Sequence, residues 1–281
     1  MRIIFFRLGA IIPIVVCLCA AVPAPGHAER MRVRISSIGQ KAYTQADIDA
    51  EKRFGHNLAA RILGNYPLWQ NAKVNHYVNL VGHALTLFTG RQELTFSFAI
   101  LDTETINAFA TPGGYIFITR GALANMHDEA QLAAVLAHEI AHVLERHMIR
   151  ELHIKATGDS VLSGFAELIG GATGGVRGSL ESSLNQAADI LFHRGYRVAD
   201  ELSADRVGAL LTATTGYDPT ALKRFLEQMG PFEATLKAQD RDHPDTLHRL
   251  ACLQQVLSTN GLHAETGQRN KERFHEMVLS R

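Results

Sequence analysis

Cysteine is scarce in this sequence. The 281 residues hold three, and Cys17 and Cys19 fall within the first 28 positions, leaving Cys252 alone in the remainder. One thiol cannot close an internal disulfide, so the chain must hold itself together by burying apolar side chains, helped if at all by a metal. Cys252 sits in RLACLQQVL, an apolar helical pattern, and reads as a core residue rather than a nucleophile. An excess of charge is missing as well. The 28 basic and 28 acidic residues balance to a formal net charge of zero, which excludes the electrostatic footprint of a nucleic-acid partner. No repeat of solenoid length is visible, and no linker divides the chain into two domains. What remains, at 46% hydrophobic and 20% charged, is the composition of an ordinary globular protein, long enough to bury a real core.

A single long apolar run breaks that pattern, at the start. Arg2 and Arg7 precede Leu8 to Val22, which is almost wholly apolar; Pro23 and Pro25 then end any helix, and Gly26-His27-Ala28 places small residues where a signal peptidase reads. This is the form of a secretory signal peptide over residues 1–28, and the run is short for a membrane span. A lipid anchor is disfavoured because Val16 and Leu18, not small residues, precede the two early cysteines. The remainder, 29–281, is expected to be one domain, with its core at about 54–258 and a charged, peripheral tail from Gly261.

Helix-type spacing of apolar residues runs over Ala46–Leu63 and Ala72–Phe88. LTFSFAIL, Leu94–Leu101, alternates like a strand, and GGYIFITRG, Gly113–Gly121, is a second strand bounded by glycines. Asp128, with Gln131 three residues on, marks the start of a long helix through about Glu151. Helical patterns return over Leu180–Leu211, Pro219–Gln228 and Pro244–Leu257. The expected class is α+β, predominantly α-helical, with a small sheet.

The segment AAVLAHEIAHVLERH, Ala133–His147, carries the chemistry. On a helix His138 and His142 lie about 40° apart and one turn along, so both imidazoles aim at one point. Leu132, Leu136, Ile140 and Val143 form a separate stripe for the core, and Ala134, Ala137 and Ala141 leave a side small enough for close packing. Glu139 points about 60° away from His142, able to reach a water on a metal without being a ligand. A chain of this composition rarely produces H-E-x-x-H by accident. Two histidines leave a zinc site one protein ligand short. Downstream, ADELSADRVGALL supplies Glu201 as that ligand, with Asp205 four residues on as acceptor for a ligand histidine's other N–H.

HEIAH followed by ELSAD resembles the gluzincin peptidases of the HtpX and BepA type, the forty-eighth metallopeptidase family, which includes the prenyl-protein peptidases. NAFATPGGYIFITRGAL, Asn107–Leu123, is similar to that family's segment before the zinc helix, and HPDTLHR, His243–Arg249, to its late histidine-proline-arginine motif. The resemblance covers roughly Phe54 to Leu253. It implies a zincin-like fold, one zinc ion on His138, His142 and Glu201, and Glu139 as catalytic base. It further implies an exported, periplasmic endopeptidase whose partners are unfolded or misassembled envelope proteins. Ser203 stands where members often carry an acidic residue. The transmembrane helices of the family's membrane forms and the helical repeats of its larger exported forms are not visible here.

Further expectations concern how the substrate is held and how charge is balanced. The oxyanion of a tetrahedral intermediate needs a cation or donor beside the zinc, for which Arg249 or His243 is the candidate, and His243 can also fill the open zinc position at rest. Gly114, Tyr115, Ile116 and Phe117 are the candidate sheet edge for an added substrate strand, with Gly113 and Gly114 allowing close approach. Gly158–Arg177, an apolar stripe followed by glycines, reads as a lid over the cleft, a segment that rests on a membrane surface or a client, or a buried helix. The rival reading of the whole is a zinc-dependent, chaperone-like module that holds clients without cutting them.

Overall fold

The computed structural model describes residues 33–38, 43–152, 174–236 and 246–280, with the side chains of 174–179 and 231–236 left aside. The leader over residues 1–28 and most of the Gly158–Arg177 segment lie outside these residues. Helix α1 (Gln45–Asn65) opens on a full capping box in which Thr44 Oγ1 accepts from the Asp47 N–H and the Asp47 carboxylate accepts from the Thr44 N–H. Helix α2 (Ala72–Thr86) is capped by Asn71, whose side chain accepts from the Val74 N–H. Three strands follow, β1 (Ser97–Leu101), β2 (Ala108–Thr111) and β3 (Tyr115–Thr119).

The strand order is β1-β3-β2, with β1 parallel and β2 antiparallel to β3. Successive residues of β3 therefore alternate between two cores. Ile116 and Ile118 join Phe98, Ile100 and the helices of the larger cluster, while Phe117 joins Phe109, Leu101 and the Phe54, Leu58 and Ile62 face of α1. The expectation of β3 as a free edge is overturned, because a strand paired on both sides has no unmet backbone groups to offer. Gly113 and Gly114, both with positive φ, form instead the tight β2–β3 turn, packed against the backbone of Lys52, Thr95 and Phe96.

After the short α3 (Arg120–Ala124) comes α4 (Glu129–Leu144), all of whose residues are buried. A helix surrounded on every side needs both apolar and small faces, and α4 has both. Its cap differs slightly from expectation. Asp128 accepts from the Gln131 N–H, but Gln131 Oε1 reaches past the cap to the His127 N–H at 2.7 Å. The helix also stops well before Glu151. Arg146 takes a left-handed conformation, φ 54° and ψ 41°, and a new turn, α5 (His147–Glu151), starts in another direction. A left-handed residue with a Cβ costs about 1–2 kcal/mol. It is offset here by Arg146 Nε donating to Glu51 Oε2 at 2.9 Å and by the guanidinium lying 3.3 Å over the Tyr43 ring.

Helix α6 (Gly174–Asp189) widens into a π-type turn (Ile190–Arg194) that ends at Gly195, φ 69°, so the expected continuous helix to Leu211 is two helices. The second, α7 (Val198–Thr214), packs closely on α4. Gly208 makes this approach possible, since a Cβ there would lie 3.0 Å from the His138 Cα and N. Helices α8 (Ala221–Leu236) and α9 (Thr246–Thr259) complete the surround. The tail, expected to be peripheral, is an integral part: Leu262 and Phe274 are buried, and Arg269 and Arg273 bind Asp218 and Glu129. Cys252 is only half-buried on α9. No helix among the described residues is long and apolar enough to cross a membrane.

Candidate metal centre

The rigid pairing of α4 with α7 brings three side chains to one point. His138 Nε2 and His142 Nε2 are 3.1 Å apart, and they lie 3.5 Å and 3.6 Å from the two carboxylate oxygens of Glu201. Ligands held about 2.0–2.1 Å from a tetrahedral ion stand roughly 3.3 Å from one another; the two imidazole nitrogens are near that spacing, and each has one Glu201 oxygen within 3.6 Å, so that one ligand atom from each residue falls within 4.8 Å of the others. Among the described residues, this is the group of histidine, cysteine and acidic side chains that can hold a metal. Two imidazoles and one carboxylate are also the protein donor set of a catalytic rather than a structural zinc site.

The outward-facing atoms have polar neighbours close by. Asp205 Oδ1 lies 2.9 Å from His138 Nδ1, which directs Nε2 at the common point. Asp205 and Glu201 are in turn held by Arg249. Its Nε and Nη2 donate to the two Asp205 oxygens at 2.9 Å and 2.7 Å, and Nη1 sits 3.2 Å from Glu201 Oε2. Arg249, expected as a cation for the transition state, is thus placed behind the carboxylates, fixing their orientation. His142 is fixed from two other directions: Tyr196 stacks on its ring at 4.3 Å, and His147 Nδ1 meets its Nδ1 at 2.7 Å.

Electrostatics within the site favour positive charge at its centre. Burial by itself lowers the pKa of His138, but hydrogen bonds to Asp205 and Glu201 outweigh it and raise it to about 10. Burial with the neighbouring His138 drives His142 well below the usual value. Glu201 resists burial and is held far below the ordinary carboxylate range by His138 and Arg249. Glu139, next along α4, makes no such pair among the described residues; burial pushes it up to about 7. One carboxylate is thus locked ionised and its neighbour left near neutrality.

His243 lies outside the described residues. Gly114, Tyr115, Ile116 and Phe117 lie on the turn and central strand away from this cluster; Tyr115 and Phe117 face an apolar hollow of about 260 Å³ shared with His56, Leu63 and Leu68. Sequence reasoning missed Tyr196, which follows the Gly195 break, and His147, the last residue of the quoted segment. The strand Ala108–Thr111 was missed too. A break after Leu144 would have exposed His147, but no Gly or Pro announces one.

Comparison with known proteins agrees with this geometry. Peptidase family M48 matches residues 72–257. The chain is 29% identical over 216 residues to a putative beta-barrel assembly-enhancing protease of Vibrio cholerae, covering 76% of this chain and 45% of that protein. It is 27% identical over 207 residues to the beta-barrel assembly-enhancing protease of Escherichia coli K12, covering 69% and 40%. Its similarity to the mitochondrial metalloendopeptidase OMA1 of Schizosaccharomyces pombe is 25% over 236 residues, covering 81% and 67%. The chain thus spans less than half the length of the two bacterial relatives. With the family match extending over most of the sequence and containing both ligand helices, the chain belongs to Peptidase family M48.

Proposed function

We propose that this chain is an exported zinc endopeptidase that hydrolyses peptide bonds in unfolded or misassembled envelope proteins. One observation carries the reading: His138, His142 and Glu201 converge within ligand distance of one point, with a buried Glu139 beside them that has no partner among the described residues. His138, His142 and Glu201 hold the ion. Zinc bound there supplies a Lewis acid that acidifies water and polarises a scissile carbonyl. Glu139, a buried carboxylate next along the helix from a ligand histidine, accepts the proton of the attacking water and passes it to the leaving amine. Asp205 and Arg249 keep His138 and Glu201 in place through the cycle. An extended substrate adds to β2 rather than β3, since β2 packs beside α4 and pairs with no second strand among the described residues. The names of the bacterial relatives support a client among assembling beta-barrel proteins, and the signal-like residues 1–28 support action in an exported, periplasmic setting.

The test uses the purified chain with a reduced, unfolded protein as substrate. Zinc at about one equivalent, cleavage by the wild type, and its loss in Glu139→Gln with zinc retained are the expected results. Less than half an equivalent of zinc would sink the metal reading, whereas zinc binding without any cleavage would favour a holding module.

A further inference from the structure

The metal reading leaves one buried group unexplained. His147 is fully buried, is not among the three converging ligands, and contacts one of them. We infer that His147 is a positioning residue for the metal centre. It accepts the His142 Nδ1–H and sets its own Nε2 beside the Glu145 carboxylate, so that His142 presents its Nε2 lone pair to the ion. The inference rests on the zinc reading given above.

The assignment follows from counting protons. A neutral imidazole carries one N–H. His142 must keep Nε2 free for a metal, so its proton is on Nδ1. That proton points at His147 Nδ1, 2.7 Å away, which therefore accepts. The proton of His147 is left on Nε2, which lies 3.1 Å from Glu145 Oε2 and 3.7 Å from Asp200 Oδ1. The two ligand histidines are then backed in different ways, His138 by the Asp205 carboxylate and His142 by a second imidazole that Glu145 faces.

The backbone shows why this depends on the break after α4. In a continuous helix residues five apart diverge by about 140°, so His142 and His147 could not meet. The left-handed turn at Arg146 brings His147 back against His142 with ring planes at 79°. Tyr196 stacks on the His142 face, so the imidazole is confined both in its plane and across it. An unfavourable conformation at a residue without glycine's freedom, placed between a ligand and its neighbour, is the kind of strain a site retains for a purpose.

The test measures metal rather than turnover alone. Zinc affinity is read by competition with a chromophoric chelator, and ligand geometry by the visible spectrum of the cobalt-substituted protein, for wild type, His147→Leu, His147→Asn and Glu145→Gln. Loss of an outer hydrogen-bond partner weakens metal affinity about 10–100-fold; His147→Leu is expected in that range with shifted cobalt bands. His147→Asn, whose Oδ1 can accept where Nδ1 did, is expected to recover most of the affinity and spectrum. Glu145→Gln is expected to fall between wild type and His147→Leu. Wild-type affinity and spectrum in His147→Leu, or in Glu145→Gln should the leucine variant not fold, overturn the inference while leaving the zinc centre intact. A wild-type chain that binds no zinc overturns the metal reading and this inference with it.

Discussion

The two ends of α4 each bury a carboxylate-centred cluster, and they are built on opposite rules. At the N-terminal end Glu129 is fully buried and every neighbour is a donor: Tyr77 Oη at 2.6 Å, Tyr217 Oη at 2.8 Å, Asn270 Nδ2 at 3.0 Å and Arg273 Nε at 2.6 Å. Burial and the facing carboxylate hold both tyrosines above their usual range, while Arg273 and the two hydroxyls bring Glu129 below its own. Toward the C-terminal end the atoms that meet are His138 Nε2, His142 Nε2 and the Glu201 oxygens, which leave one another short of donors unless a proton on His138 or a metal ion stands among them. A buried acceptor matched by donors is a structural joint, here binding the chain's tail to the metal helix. Buried acceptors aimed at one another are costly unless a cation joins them.

The comparison yields a graded set of outcomes. Glu139→Gln is expected to lower turnover by about 10²–10⁴-fold, roughly 3–5 kcal/mol of barrier, with unfolding temperature and zinc content unchanged; matched loss of zinc and activity would make Glu139 structural instead. Stripping the metal with a chelator is next. At free zinc 100 times its dissociation constant the lost stabilisation is about 2.7 kcal/mol, read as a fall in denaturant midpoint that added zinc restores.

Glu129→Gln tests the other end. It leaves tyrosine and arginine donors facing an amide and is expected to cost about 2 kcal/mol, without changing zinc stoichiometry in the folded protein. Its pH dependence has a definite sign. The folded pKa of Glu129 is below the unfolded one, so the unfolded state binds more protons. The contribution is therefore complete above about pH 4.3 and is lost as pH falls toward the folded value. Acid unfolding curves should show less loss over that window in Glu129→Gln. The smallest effect is Gly208→Ala. Its Cβ would press on the His138 backbone, with overpacking of about 1–3 kcal/mol partly offset by about 1 kcal/mol of helix propensity. A net cost near 1 kcal/mol should come with weaker zinc binding, whereas Glu129→Gln should leave zinc affinity alone.

The residues that were legible lie at fixed local spacing. His138 and His142 are one turn apart, Glu201 and Asp205 likewise, and helix periodicity alone predicts that each pair shares a face. Asp128 and Thr44 sit where capping needs them, although only Asp128 was recognised. The misreadings have physical causes. β3 looked like an edge because a run of Tyr115–Thr119 carries no mark of how many partners it has. Ala108–Thr111 is four residues long, too short to show alternation. The turn at Arg146 and the ion pair of Arg273 rest on Glu51 and Glu129, residues 95 and 144 positions away.

By itself, then, the order of residues decided which side chains travel together on one helix, because 3.6 residues per turn is a property of the backbone and needs no neighbour. Whether α7 comes within ligand distance of α4, which strand lies at the centre of the sheet, and what stands behind His142 were decided only when the helices packed. Those outcomes depend on contacts between segments far apart in the chain, such as Gly208 against His138, and no local pattern encodes a distance across the core.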